Sequence, residues 1–183
     1  MKFRFTFKKA LLAFVIAWLV FAQSCMKFRV SDSEARVSFD RQRVPVYFIS
    51  LKEEGVPLHY VKCGADSLPT LFFVHGSPGS WDAFRLYMTD TLLLKHFRMI
   101  AVDRPGFGYS DFGTAYHLDY QALLINKLVE KERNGRAVHL VGHSIGGPVI
   151  VQMAQDQPGY FSSLTILACS ISPADQPKEY WRY

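Results

Sequence analysis

The chain has 183 residues, 49% of them hydrophobic and 15% aromatic, enough apolar material for one substantial core in one domain. Its formal charge of +5 is concentrated at the start: Lys2, Arg4, Lys8 and Lys9 precede the first acidic residue, Asp32. Without the first 24 residues, 17 basic residues face 16 acidic ones, so the body carries no footprint for a phosphate backbone and nucleic acid is excluded as a partner.

Chain order begins with a basic stretch, Met1–Lys9, followed by an uncharged apolar run, Ala10–Ala22. That is the charge-then-apolar pattern of an export signal, and residues 1–24 are read as a signal peptide or a membrane anchor. The next residues, Ala22-Gln23-Ser24-Cys25, resemble a bacterial lipoprotein processing site, in which cleavage before the cysteine exposes its sulfur for acylation. The resemblance implies lipidation at Cys25 and an exported, membrane-anchored protein. An uncleaved anchor, plain secretion and a buried segment remain the alternatives. Cys63 and Cys169 sit in apolar runs without metal-type spacing, and they are expected to be small core residues rather than a disulfide or a metal site.

Residues 25–44 read as a tether with a short helix, because Ser31-Asp32-Ser33-Glu34 has the form of a capping box. Val46–Leu51 and Pro57–Cys63 are strand-like and flank Lys52-Glu53-Glu54-Gly55, the signature of a hairpin. Four near-continuous apolar strands follow, Thr70–His75, Phe97–Asp103, Ala137–Gly142 and Ser163–Cys169. Helical spacing fills the intervals at residues 81–94, 118–131 and 145–155. Apolar strands alternating with helices predict a doubly wound α/β fold: a mostly parallel sheet, covered on both faces, with an antiparallel edge hairpin.

Three segments carry chemistry. Gly142-His143-Ser144-Ile145-Gly146 is a G-x-S-x-G sequence placed between a strand and a helix, the setting of a nucleophile elbow. The glycines let strand and helix approach closely, and Ser144 is the candidate nucleophile. His75-Gly76-Ser77-Pro78-Gly79 follows the strand before it. An attacked carbonyl becomes an oxyanion that needs N–H donors, for which Ile145 and Ser77 are the candidates, since Pro78 has no N–H. His75 and Gly76 are read as ordering this loop. Asp103-Arg104-Pro105-Gly106-Phe107-Gly108-Tyr109-Ser110 reads as a turn-rich segment braced by Asp103 and Arg104. Trp81 and Phe107 fit either core or pocket lining.

In this order the three segments resemble the α/β-hydrolase fold superfamily, in the branch of esterases, C–C bond hydrolases and proline iminopeptidases, over about residues 44–175. The resemblance implies a serine hydrolase that attacks an ester, amide or related acyl bond of a small-molecule substrate, with no metal or organic cofactor. A serine in the elbow argues against the aspartate-nucleophile branches. Residues 45–183 would be the N-terminal portion of such a domain, with Pro173–Tyr183 opening a cap. The departure is in the triad, which in that family continues from serine to an acid and then to a histidine. All six histidines, at 59, 75, 96, 117, 139 and 143, precede Ser144, and only Asp156, Asp175 and Glu179 follow it as acids. A serine hydroxyl without a base is a poor nucleophile, so this chain is expected to be weak or inactive. The alternative is a non-catalytic binding or scaffold protein of the same fold at the cell envelope.

Overall fold

The structure, a computed structural model, describes residues 7–25 and 29–169, with side chains from Lys8 to Ala22 and from Arg29 onward. Asp175, Glu179, the expected cap and the side chain of Cys25 lie outside the described residues.

The first helix, α1, spans Phe7–Cys25. It begins with Lys8 and Lys9, and its uncharged apolar run, Ala10–Ala22, is 13 residues long. At about 1.5 Å per residue that run is roughly 20 Å, against about 30 Å for a hydrocarbon core. Among the described residues no helix is long and apolar enough to cross a membrane. This finding overturns the expectation of an exported, membrane-anchored protein.

Helix α2, Asp32–Arg41, starts where the capping box predicts, with the Glu34 amide donating to Ser31 Oγ at 3.2 Å. It is more than a tether, because Ala35 and Phe39 are completely buried in the domain. The hairpin follows as β1 (Val46–Glu53) and β2 (Val56–Cys63), antiparallel from Val46 opposite Cys63 to Glu53 opposite Val56. Glu54 and Gly55 both have positive φ, 49° and 82°, the two-residue turn whose twist suits a hairpin. Strands β3 (Thr70–Val74), β4 (Arg98–Val102), β5 (Val138–His143) and β6 (Ser163–Leu167) complete a six-stranded sheet in the order β1-β2-β4-β3-β5-β6. Among the described residues only β1–β2 and β2–β4 pair antiparallel; β3, β4, β5 and β6 run parallel. The predicted mixed, mostly parallel sheet with a hairpin edge is the observed one.

The central strands read as continuous apolar runs because both faces are covered. Successive strand residues point to opposite faces, and the core divides accordingly. Phe72, Ile100, Val102 and Leu140 face α4 (Leu118–Lys131) and α5 (Gly146–Asp156). Phe73, Met99, Ala101 and Val141 face Phe39, Trp81, Phe84 and Met88 on the other side. Cys63 lies in this second layer, where burial pushes its thiol up to about 12.

The one helix misjudged from spacing is at residues 81–94. It is a broken segment: a 3₁₀ turn at Trp81–Phe84, a single turn α3 at Arg85–Met88, and another 3₁₀ turn at Leu93–Lys95. Trp81 and Met88 are fully buried, whereas Leu86 and Leu92 stay exposed. The apolar residues therefore do not share one continuous stripe, and a regular helix would gain nothing by carrying them.

Candidate active site

The C-terminal ends of the parallel strands bring the three segments together. Strand β5 delivers Ser144 into a tight turn, and α5 leaves it from Gly146. Ser144 has φ of +52°, in the left-handed region that costs a residue with a Cβ about 1–2 kcal/mol. The turn is held from both sides, by the Ser144 amide donating to Leu167 O at 2.9 Å and the Gly147 amide donating to Ser144 O at 2.8 Å. The elbow glycines have a steric reason. A Cβ on Gly142 would stand 2.5 Å from Gly146 O, and one on Gly146 would overlap Val74 O. Strand, turn and helix pack with no room for a methyl group.

The same close packing joins the elbow to the loop after β3. A Cβ on Gly76 would lie 2.9 Å from both Ser144 Cβ and His143 Nδ1. Ser77 follows, exposed, and together with Ile145 it lines a cleft of about 520 Å³ whose other walls include Gly106, Phe107, Phe112 and Tyr116. Phe107 is thus a lining residue and Trp81 a core residue, which separates the two aromatics that sequence left equivalent.

His75 is completely buried beneath this loop. Its Nε2 accepts the Arg104 amide at 2.9 Å, and Nδ1 lies 2.6 Å from Gly76 O. A ring nitrogen that accepts an amide N–H carries a lone pair, so the proton resides on Nδ1, which donates to the carbonyl. Burial, with help from the Arg104 charge, pulls its pKa down to about 4. Arg104 also donates from Nε to His75 O at 2.8 Å and from Nη2 to Gly76 O at 3.2 Å, while Nη1 reaches Gln121 Oε1 at 2.8 Å. Burial lowers its own pKa to about 10, which leaves it charged at neutral pH.

Asp103 braces the loop after β4. Its Oδ1 accepts the Trp81 amide at 2.7 Å, and Oδ2 accepts the Tyr109 amide at 2.9 Å and meets His59 Nδ1 at 2.8 Å. Gly108 packs so tightly on this carboxylate that a Cβ there would overlap it. Sequence reasoning found Asp103 and Arg104 but missed their partners His59 and Gln121. Nothing local marks a contact between residues 44 or 17 positions apart.

The remaining histidines are dispersed. His139, beside Ser163 Oγ at 2.8 Å, and His96, just before β4, stand at the opposite end of the sheet from Ser144. His117 and His143 are exposed.

The sequence from 69 to 183 matches the alpha/beta hydrolase fold family. The chain is 31% identical over 127 residues to epoxide hydrolase 1 of Caenorhabditis elegans, covering 68% of this chain and 30% of that protein. It is 32% identical over 125 residues to the bifunctional esterase/perhydrolase DCH of Acinetobacter calcoaceticus, covering 66% of this chain and 44% of the relative. Among solved structures it is similar to Cfl2 from Burkholderia cenocepacia, with a TM-score of 0.65 at 31% identity, covering 72% of this chain and 46% of that one. The chain therefore spans less than half the length of each of these relatives. A family match that takes in β3, the elbow and β6, on a sheet with this strand order and a strained serine at the end of β5, makes the chain a member of the alpha/beta hydrolase fold family.

Proposed function

We propose that the protein is a serine hydrolase acting on an ester, amide or related acyl bond of a small molecule, with Ser144 as nucleophile and the amides of Ser77 and Ile145 as oxyanion donors. The observation that carries this reading is the strained Ser144, held at φ +52° beside the loop that presents Ser77. In this reading Ser144 Oγ bonds to the carbonyl carbon, the bond to the leaving group breaks, and the serine proton leaves with a base. The leaving group takes up a proton, and water then releases the acid from the acyl-serine. His75 and Gly76 order the oxyanion loop through Arg104, and residues 45–183 carry the strand core, nucleophile and oxyanion donors.

Relatives named as epoxide hydrolases and as an esterase point to two carbon electrophiles. The nucleophile favours the acyl one. A carboxylate that opens an epoxide leaves an ester, which water can cleave, whereas a serine would leave an ether, which it cannot. His75 is a poor base because its free nitrogen is occupied by the Arg104 amide. With no histidine after Ser144, these 183 residues should acylate slowly and turn over more slowly still. Loss of a triad member leaves about 10³–10⁴-fold catalysis over water, from the oxyanion donors and binding.

The test is incubation of the full chain with a fluorophosphonate, followed by peptide mass spectrometry. One adduct at Ser144, absent in Ser144→Ala, supports the reading; labelling no faster than that of an exposed serine overturns it. A second reading, a non-catalytic binding or scaffold protein of this fold, predicts cleft binding without reaction at Ser144.

A further inference from the structure

We propose that Arg29, with Val30 and Asp32 beside it, is a strap that fixes the Phe107–Tyr116 wall of the cleft and so sets which acyl chains the cleft accepts. The inference rests on reading the cleft as the acyl site; the hold on the wall does not.

The wall needs holding. Between β4 and α4 the chain forms neither a helix nor a strand beyond one bridge from Phe107 to Ser110. It turns repeatedly through positive φ, at Gly106, Gly108, Asp111 and Gly113. Its backbone hydrogen bonds close turns within the segment, such as Gly106 N to Ser110 O at 2.7 Å and Gly113 N to Gly106 O at 3.0 Å, so side-chain ties must set its position against the rest of the domain. The inner tie is Asp103, already described. The outer tie comes from far upstream in the sequence.

Arg29 Nη1 donates to Gly108 O, and its guanidinium lies 4.0 Å from the centre of the Tyr109 ring and 5.8 Å from that of Phe112. The Tyr109 hydroxyl returns a bond to Val30 O at 3.4 Å. One turn further, Asp32 Oδ1 faces His59 Nε2 at 3.6 Å, and His59 Nδ1 reaches the same Asp103 oxygen that accepts the Tyr109 amide. The strap thus meets the wall from outside through Arg29 and from inside through the His59–Asp103 pair. Phe112 is the link to the site, because it lies within range of Arg29 and lines the cleft.

The strap has a firm base. Ser31 caps α2, and Ala35 and Phe39 of that helix are fully buried in the core. A displacement of Arg29 therefore cannot be absorbed by drift of the helix behind it. The chemistry also favours arginine. A planar guanidinium can stack on an aromatic face while donating in its own plane, which an ammonium cannot do. Arg29 touches the wall and not the reacting atoms, so its role is positioning.

Two measurements on the full chain test this. Hydrogen exchange is followed in Arg29→Ala, Arg29→Lys and Tyr109→Phe. Arg29→Ala should speed exchange across residues 106–114 by roughly ten- to a hundredfold, the effect of losing a hydrogen bond to a charged group. Protection in α4 and β5 should stay unchanged, and Arg29→Lys should recover only part of the loss. Single-turnover labelling of Ser144 by 4-nitrophenyl decanoate and 4-nitrophenyl acetate then reads selectivity. In Arg29→Ala the ratio of the two rates should change several-fold, a split that uniform destabilisation would not produce. Unchanged exchange at 106–114 overturns the strap, and a loosened wall with an unchanged ratio overturns its role in selection. If neither ester labels Ser144 in the unaltered chain, the acyl reading fails, and exchange alone still decides whether the strap holds the wall.

Discussion

Arg104 and His75 hold one another across the top of the sheet: the Arg104 amide donates to His75 Nε2 at 2.9 Å, and Arg104 Nε donates to His75 O at 2.8 Å. One residue thereby fixes both the ring and the backbone of the other at the point where the chain turns towards Gly76 and Ser77. The pair ties the loop after β3 to the loop after β4, and the cleft lies between them.

The pair makes stability depend on acid. His75 is held down to about 4 when folded, by burial first and by Arg104 second, against about 6.5 in an unfolded chain. The unfolded state therefore binds more protons in that interval, so this stabilisation is complete above about pH 6.5 and is lost as pH falls towards 4. The loss from this one group is about 3 kcal/mol between pH 7 and pH 4. Urea titrations at the two pH values should show it, and His75→Gln should be less stable at pH 7 but lack this component of the acid dependence. An equal acid dependence in the variant would assign the loss to other groups.

The elbow glycines should be far less replaceable than glycines in open turns. Gly142→Ala and Gly146→Ala press a methyl group onto backbone oxygen or carbonyl that cannot move aside. Each should cost about 3 kcal/mol or more, at or beyond the upper range for an overpacked core. Gly159→Ala has open space around it and pays only for its positive φ, about 1 kcal/mol. Denaturant midpoints of the three variants should fall in that order, and equal losses would count against the steric account.

Ser144 carries strain that a glycine would release. Ser144→Gly should be more stable than Ser144→Ala by about 1 kcal/mol, because alanine keeps the Cβ that makes φ +52° costly. Thermal unfolding of the two variants decides the matter, and neither should react with a fluorophosphonate at this position.

Phe39 tests whether the segment ahead of β1 belongs to the domain. Its ring is fully buried and lies 6.3 Å from Trp81, centre to centre. Phe39→Ala should cost about 3–5 kcal/mol, the range for emptying a packed aromatic site. A loss below 1 kcal/mol, seen by urea titration, would return α2 to the status of a tether.

What the sequence determined by itself was local. Continuous apolar runs such as Leu71–Val74 announced strands covered on both faces, because burial on two sides removes the alternation that a half-exposed strand shows. Ser31 and Glu34 marked the start of α2, and Gly142, Ser144 and Gly146 marked a turn too tight for other residues, because caps and tight turns are made by neighbours in the chain. The family followed from those same segments in their order.

Contacts between distant positions were decided only in three dimensions. No periodicity joins His59 to Asp103, Gln121 to Arg104, or Arg29 to Tyr109, because each pair lies on different elements whose approach depends on how the whole sheet and its loops pack. The run at 81–94 shows the same limit from the other side. Its apolar residues suited a helix, but burying Trp81 and Met88 against the sheet took precedence over helical regularity, and the chain broke into short turns. Local pattern sets which elements are favourable, and the free energy of filling one shared core decides which of them form and which side chains meet.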